Sequence, residues 1–298
     1  MTMRFNLTLV LIVVGVSWGL TAPLSKIAVS TGHHYLGLLI WQIIVMVLSL
    51  GIVQAIRRKY FFSLSINSFL RFGLVALMGS LLPNSIMYKT YFHLQSGVMS
   101  ILIAMVPMFA FPLVLVLRME NLEFKRLLGV LLGAIAIALI ILPQLNLTNM
   151  GQSGWIAFGL LSPLCYAIEG VWINKIGLAT LDPVELVLGS SILGLIVLLP
   201  VTLLNGYWIS PFVIWGPAEI ALTISSLMHS LIYVSYLWLI GRAGVVFASQ
   251  TSYICTASGV GFAMLMLGEG YSIYIWGAVV LMLIGLIMVR PTKLIYKK

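Results

Sequence analysis

Glu169 stands inside the apolar stretch Leu164–Lys175, LCYAIEGVWINK, rather than at one of its ends. A carboxyl group in such a setting can exchange a proton or hold a cationic group. The plainer reading is that it reaches toward water or stays neutral, since an unpaired charge in apolar surroundings is costly. His229 comes next. Ser225, Ser226 and Tyr233 lie three and four residues from it, with Tyr236 beyond, so one helical face carries a polar, aromatic stripe. Asn84, Tyr88, Tyr91 and Gln95 form a second stripe, spaced four, three, four. Ser249, Ser252 and Thr256 form a third. Hydroxyls in helices often bond only to their own preceding carbonyls, and Tyr91 and Gln95 also suit an interfacial belt. Trp18, Met105 and Met108 offer adaptable apolar surface or simple packing.

The elements that must position these residues follow from composition. Of 298 residues, 61% are hydrophobic and only 8% charged, and the mean hydropathy is +1.14. Soluble domains run near 25% charged, so the chain is a polytopic membrane protein. Its apolar runs are continuous for roughly 20 residues, which is the helical signature. The expected fold class is therefore all-α, with ten spans near 6–28, 35–56, 70–92, 96–117, 125–142, 154–174, 184–204, 217–239, 245–267 and 272–289. At about 1.5 Å per residue, Glu169 lies roughly 9 Å from Lys175 and roughly 21 Å from Trp155. Asp182-Pro183-Val184-Glu185 reads as an N-cap, proline at N1 and acid at N3. Gly216-Pro217-Ala218-Glu219 opens the next span in the same manner.

The net charge of +9 does not indicate nucleic acid, because the basic residues flank helix ends. All of the 16 Lys and Arg residues except Lys26 and Lys89 fall on one side when the spans are threaded. The positive-inside rule then puts both termini in the cytoplasm of a cell (inner) membrane. Cys165 and Cys255 each sit in apolar runs, with no metal-ligand spacing. No metal, cofactor or catalytic residue is expected. There is no GxxxxGK[ST] loop and no H-E-x-x-H helix.

The chain also repeats itself. VLVLRMENLEF around Glu120 matches MLMLGEGYSIY around Glu269, a displacement of 269 − 120 = 149. The same displacement lays Ser25–Ala28 over Asn174–Gly177 and Ser100 over Ser249. Two halves of five spans each must lie inverted to one another in the membrane. Glu120 and Glu269 are read as turn residues marking the repeat. Trp18-Gly19, AMVPMFAFPLVLVLRME, Tyr166-Ala167 and LMLGE resemble the EamA-type transporters of the drug/metabolite transporter superfamily, as two repeats over 5–143 and 153–290.

The resemblance implies two inverted five-helix repeats around a central cavity, with helices five and ten peripheral and able to support a homodimer. It also implies alternating-access secondary transport of a small-molecule substrate in the lipid bilayer, with export the expected direction. No deep Lys or Arg is present to offset a phosphate. Tyr, Trp and Met walls with one carboxylate suit an amino acid or a related amphipathic solute. The expected substrate-binding set is Glu169, His229, Asn84, Tyr88, Tyr233, Ser226, Ser252, Thr256 and Trp18, with Glu169 also the proton-coupling residue. A lipid-linked flippase and an integral membrane enzyme built on Ser258 and His229 stand as alternatives.

Overall fold

Hydrocarbon offers the backbone no partner, so every N–H must find a carbonyl within its own segment. The computed structural model follows that rule: it is α-helical, with no strand among the described residues. These are residues 2–57, 65–119, 122–141, 151–178, 181–212, 214–243, 248 and 250–289. Glu120 and Ser249, like the basic residues Arg58, Lys59 and Arg290, lie outside them. The helices are α1 (Thr2–Val29), α2 (Tyr35–Ile56), α3 (Ile66–Tyr91), α4 (Ser96–Val116), α5 (Phe124–Ile141), α6 (Gly151–Ile176), α7 (Pro183–Leu204), α8 (Pro217–Ala243), α9 (Thr251–Leu267) and α10 (Ile273–Val289). Seven of them, α1–α4 and α6–α8, are long and apolar enough to cross a membrane, while α9 and α10 carry shorter apolar stretches. Leu48, Ile52, Ile196, Val197, Leu265 and Ile287 are among the many large apolar side chains exposed on the outside of the bundle, as a lipid solvent requires.

The packing has a regular pattern. Helix α1 packs on α8 and α9, and α6 packs on α3 and α4. Helix α2 packs on α7 and α8, and α7 packs on α2 and α3. The other most extensive contacts are α4 with α9 and α5 with α10. Advancing each of α1–α5 by five, and returning α6–α10 by five, leaves this set of pairs unchanged.

Three of the helices are interrupted, each just before a proline. Proline lacks an N–H and crowds the carbonyl four residues back. In α3, Pro83 follows a π-helical stretch, Val75–Leu81, in which Leu82 N–H reaches the Leu77 carbonyl five residues back. In α4 the turn at Ala104–Met105 precedes Pro107. In α6 the break at Leu160 precedes Pro163.

Polar contacts gather at the two ends. At the end where α2 and α6 finish, Arg57 pairs with Asp182 at 2.8 Å, and Arg71 donates to the Gly177 and Ile176 carbonyls. Asp182 forms the expected capping box: its carboxylate accepts from Val184 and Glu185 N–H, and Glu185 accepts from Asp182 N–H. At the opposite end, Lys26 Nζ donates to the Tyr91 and Leu94 carbonyls. There Glu269 accepts from Ser96 and Gly97 N–H and from the Tyr271 hydroxyl. The α3–α4 turn thus has a cation on its carbonyl side and a carboxylate on its N–H side, the favourable sense at both helix ends. Glu269 is a turn residue as expected, but it caps a helix 173 residues away. Glu219 caps Gly216 N–H and lies 3.5 Å from His33.

Candidate functional site

Between α1, α4, α6, α8 and α9 lies an open cavity, whose empty space together with the solvent at its mouth is about 520 Å³. Glu169 and Tyr166 reach it from α6, Tyr233 and Tyr236 from α8, and Trp18 from α1. Helix α9 adds Thr251, Ser252 and Cys255, and α4 adds Ile103, Val106 and Pro107 at its broken turn. On α6, α8 and α9 these residues lie nearer the Arg57–Asp182 end. Toward the other end the helices close on small residues. A Cβ on Gly19 would stand 2.7 Å from Gly259 N and 2.8 Å from the Cys255 carbonyl oxygen. A Cβ on Gly259 would stand 2.8 Å from Ser100 Cβ. Small residues of this kind let helix backbones approach closely in membranes.

Glu169 is 4% exposed. The Tyr233 hydroxyl donates to its Oε1, so a phenol, and no Lys or Arg among the described lining residues, answers the carboxyl group. Gly79, in the π-helical stretch of α3, makes room for the pair. A methyl there would lie 2.6 Å from Glu169 Cδ and Oε1 and closer still to the Tyr233 hydroxyl. The π turn and the glycine therefore serve one purpose, to bring α3 backbone against a carboxyl group on α6.

The aromatic groups form a connected wall. Trp18 stands edge-on to Tyr236 at 5.4 Å between centroids and to His229 at 6.2 Å. His229 lies 5.8 Å from Tyr233. The two edge-to-face contacts of Trp18 suit the ring quadrupoles. Tyr166 donates to Asn84 Oδ1 at 3.0 Å, which ties α6 to α3.

Four of the expected site residues therefore meet at the cavity: Glu169, Tyr233, Ser252 and Trp18. Others stand behind its wall. His229 is buried behind Trp18, with no partner for Nε2. Asn84 backs Tyr166, and its Nδ2 has no partner. The structure places three more away from the cavity. Ser226 Oγ bonds to the Leu222 carbonyl at 2.6 Å. Thr256 Oγ1 lies 2.8 Å from the Ser252 carbonyl and 3.2 Å from the Ser100 carbonyl, where it joins α9 to α4. Tyr88 is buried in the apolar core. Tyr91 is 2% exposed, so it is a core residue and not part of an interfacial belt. Met108 faces Gly133 and Gly285 on α5 and α10, which makes it packing. Ser258 Oγ bonds to the Ile254 carbonyl at 2.6 Å and forms no described hydrogen bond with His229.

Sequence reasoning gave no weight to Tyr166, Thr251 or Cys255 as lining residues, and named Tyr236 only as the end of a stripe. The signal for the two tyrosines was present: Tyr166 is three residues before Glu169, and Tyr236 three after Tyr233, the spacing of neighbours on one helix face.

Comparison with known proteins agrees with this architecture. No curated protein matches the chain. One solved crystal structure, described only as that of a protein, is similar with a TM-score of 0.64 and 13% identity. That likeness covers 95% of this chain and 96% of the other, and at such identity it speaks to the fold alone. The sequence pattern of one family matches twice, over residues 7–142 and again over 153–290. That double match, which spans nearly the whole chain, settles the family: this multi-pass bundle belongs to the EamA-like transporter family.

Proposed function

We propose that this membrane transporter is a secondary carrier of small amphipathic solutes that bear an amino group, amino acids and their relatives among them, and that it works by alternating access. Its spans would be ten, in two inverted repeats of 5–143 and 153–290, with both termini cytoplasmic. The exchange-invariant packing of the helices supports that arrangement, since two halves related in this way can rock around a site between them. Helices α5 and α10 pack on each other at the edge of the bundle, where a homodimer would form. The cavity's offset toward the Arg57–Asp182 end, with close packing beyond it, fits a carrier waiting for cargo from the cytoplasm, hence export.

The observation that carries the reading is Glu169. It is the one acid among the described cavity-lining residues, it is held by Tyr233, and it stands among helices from both halves. A carboxyl group so placed can be satisfied by a proton or by the ammonium of a cargo, but not by both. Such exclusion couples proton movement to cargo movement in opposite directions.

The test is Glu169→Gln in proteoliposomes carrying a pH gradient. The glutamine keeps a hydrogen-bond acceptor for Tyr233 but cannot ionise. Gradient-driven solute movement and its pH dependence should be lost while cargo-independent stability is kept. Unchanged rate and pH dependence would remove Glu169 from the coupling role.

A further inference from the structure

The wall of the cavity narrows the cargo further. Four aromatic residues, Trp18, Tyr166, Tyr233 and Tyr236, line the cavity together with a single carboxyl group, that of Glu169. Aromatic faces carry negative electrostatic potential and attract a positive charge placed over them. A carboxylate in the same lining adds a full opposite charge.

The same wall is unfavourable to an anionic group. No Lys or Arg is found among the described residues lining the cavity. Several of the hydroxyls that could donate to a carboxylate are already engaged. Tyr166 donates to Asn84, Tyr233 to Glu169, and Thr251 to the Ala248 carbonyl at 2.8 Å. A zwitterion entering here would satisfy its ammonium and bring its carboxylate against Glu169 and the ring faces.

Resting on the identification of this cavity as the cargo site, we infer that the preferred cargo is a compact organic monocation, a primary or quaternary ammonium, and that a zwitterionic amino acid binds more weakly, through its amine alone. Glu169 provides the charge, while Trp18 and Tyr236 clasp the cation from the α1 and α8 sides.

A matched pair of probes tests this. Phenethylamine and phenylalanine share ring and amine and differ by the carboxylate; tetraethylammonium adds a cation with no hydrogen-bond donor. Purified protein is titrated with each by calorimetry at pH 8. Phenethylamine and tetraethylammonium should bind, and phenylalanine should bind at least about tenfold more weakly. Glu169→Gln should weaken both cations by about tenfold or more, and Trp18→Leu by about threefold or more. Trp18→Leu leaves the Glu169–Tyr233 bond in place and carries the test if the glutamine variant does not fold. Equal or tighter binding of phenylalanine, no binding of either cation to folded protein, or binding indifferent to both substitutions would overturn the inference. If phenylalanine binds best and is moved by a pH gradient, the cation assignment fails and the transporter reading stands. If the cations bind through Glu169 but no gradient moves them, the coupling reading fails and this one stands.

Discussion

Replacing Gly79 with alanine should weaken the site without replacing any residue that lines it. The added methyl would lie 2.6 Å from Glu169 Cδ and Oε1 and closer to the Tyr233 hydroxyl, a separation that no packed carbon keeps. The backbone at Gly79 belongs to a helix with neighbours on several sides, so the side chains must give way and Glu169 must move off Tyr233. Losing that hydrogen bond costs about 1–3 kcal/mol, and alanine's better helix propensity returns about 1 kcal/mol. The net is a loss of roughly 0–2 kcal/mol of stability, small enough for the protein to fold. Cation affinity should suffer more, because the carboxyl group is displaced from the ring wall. A fall of about tenfold corresponds to roughly 1.4 kcal/mol. Gly170→Ala is the control. It lies beside Glu169 in sequence, yet a Cβ there meets nothing within 4 Å, so binding and unfolding temperature should stay at wild-type values or rise slightly. Calorimetric titration with phenethylamine and thermal unfolding in detergent measure both quantities. Should Gly79→Ala match Gly170→Ala in both, the tight approach of α3 to the carboxyl group has no part in shaping the site.

Other outcomes follow from the ends of the bundle. Glu269→Ala removes the acceptor for two N–H groups at the start of α4 and should cost about 1–2 kcal/mol in thermal unfolding. Lys26→Met acts on the same turn, so the double variant should cost less than the sum of the two. Asp182→Ala should cost about 1 kcal/mol through its cap, whereas Arg57→Ala, which removes only the exposed ion pair, should cost less than about 1 kcal/mol. Burial, followed by the charges of Lys26 and Lys89, lowers the pKa of His93; burial and then Lys89 lower that of His34. Below pH 6.5 the unfolded chain therefore binds protons that the folded one refuses, and stability should fall as pH drops through that window. Unfolding temperatures between pH 7.5 and 5.5 should show this decline, and His34→Gln with His93→Gln should flatten it.

Much of the architecture is written locally and was therefore legible. An apolar run sets a helix, and Asp182, Pro183 and Glu185 mark where α7 begins because a cap involves only its own first turn. The repeat was visible because it is a comparison of the sequence with itself. Pairings across the fold were not. Glu169 meets Tyr233 across 64 residues, and Glu269 caps α4 across 173; helical periodicity says which face a residue occupies but not which helix that face meets. Thr256 shows the limit well. It shares a face with Ser252, one turn along, yet that turn carries it from the cavity into the contact with Ser100. The π turn in α3 was equally hidden, although Pro83 is in plain view, since a proline may kink, break or widen a helix and the choice depends on what packs beside it.

The partner that holds Glu169 is a phenol, and the described lining residues include no Lys or Arg. With a proton aboard, the site is neutral; with a monovalent cation against the carboxylate, it is neutral again. In the proposed one-for-one exchange of proton and cargo, each half would then cross the membrane with no net charge in the site. A potential of 100 mV, which would add or remove about 2.3 kcal/mol for every charge moved, would find nothing there to act on, and the proposed exchange would be driven by concentration differences alone.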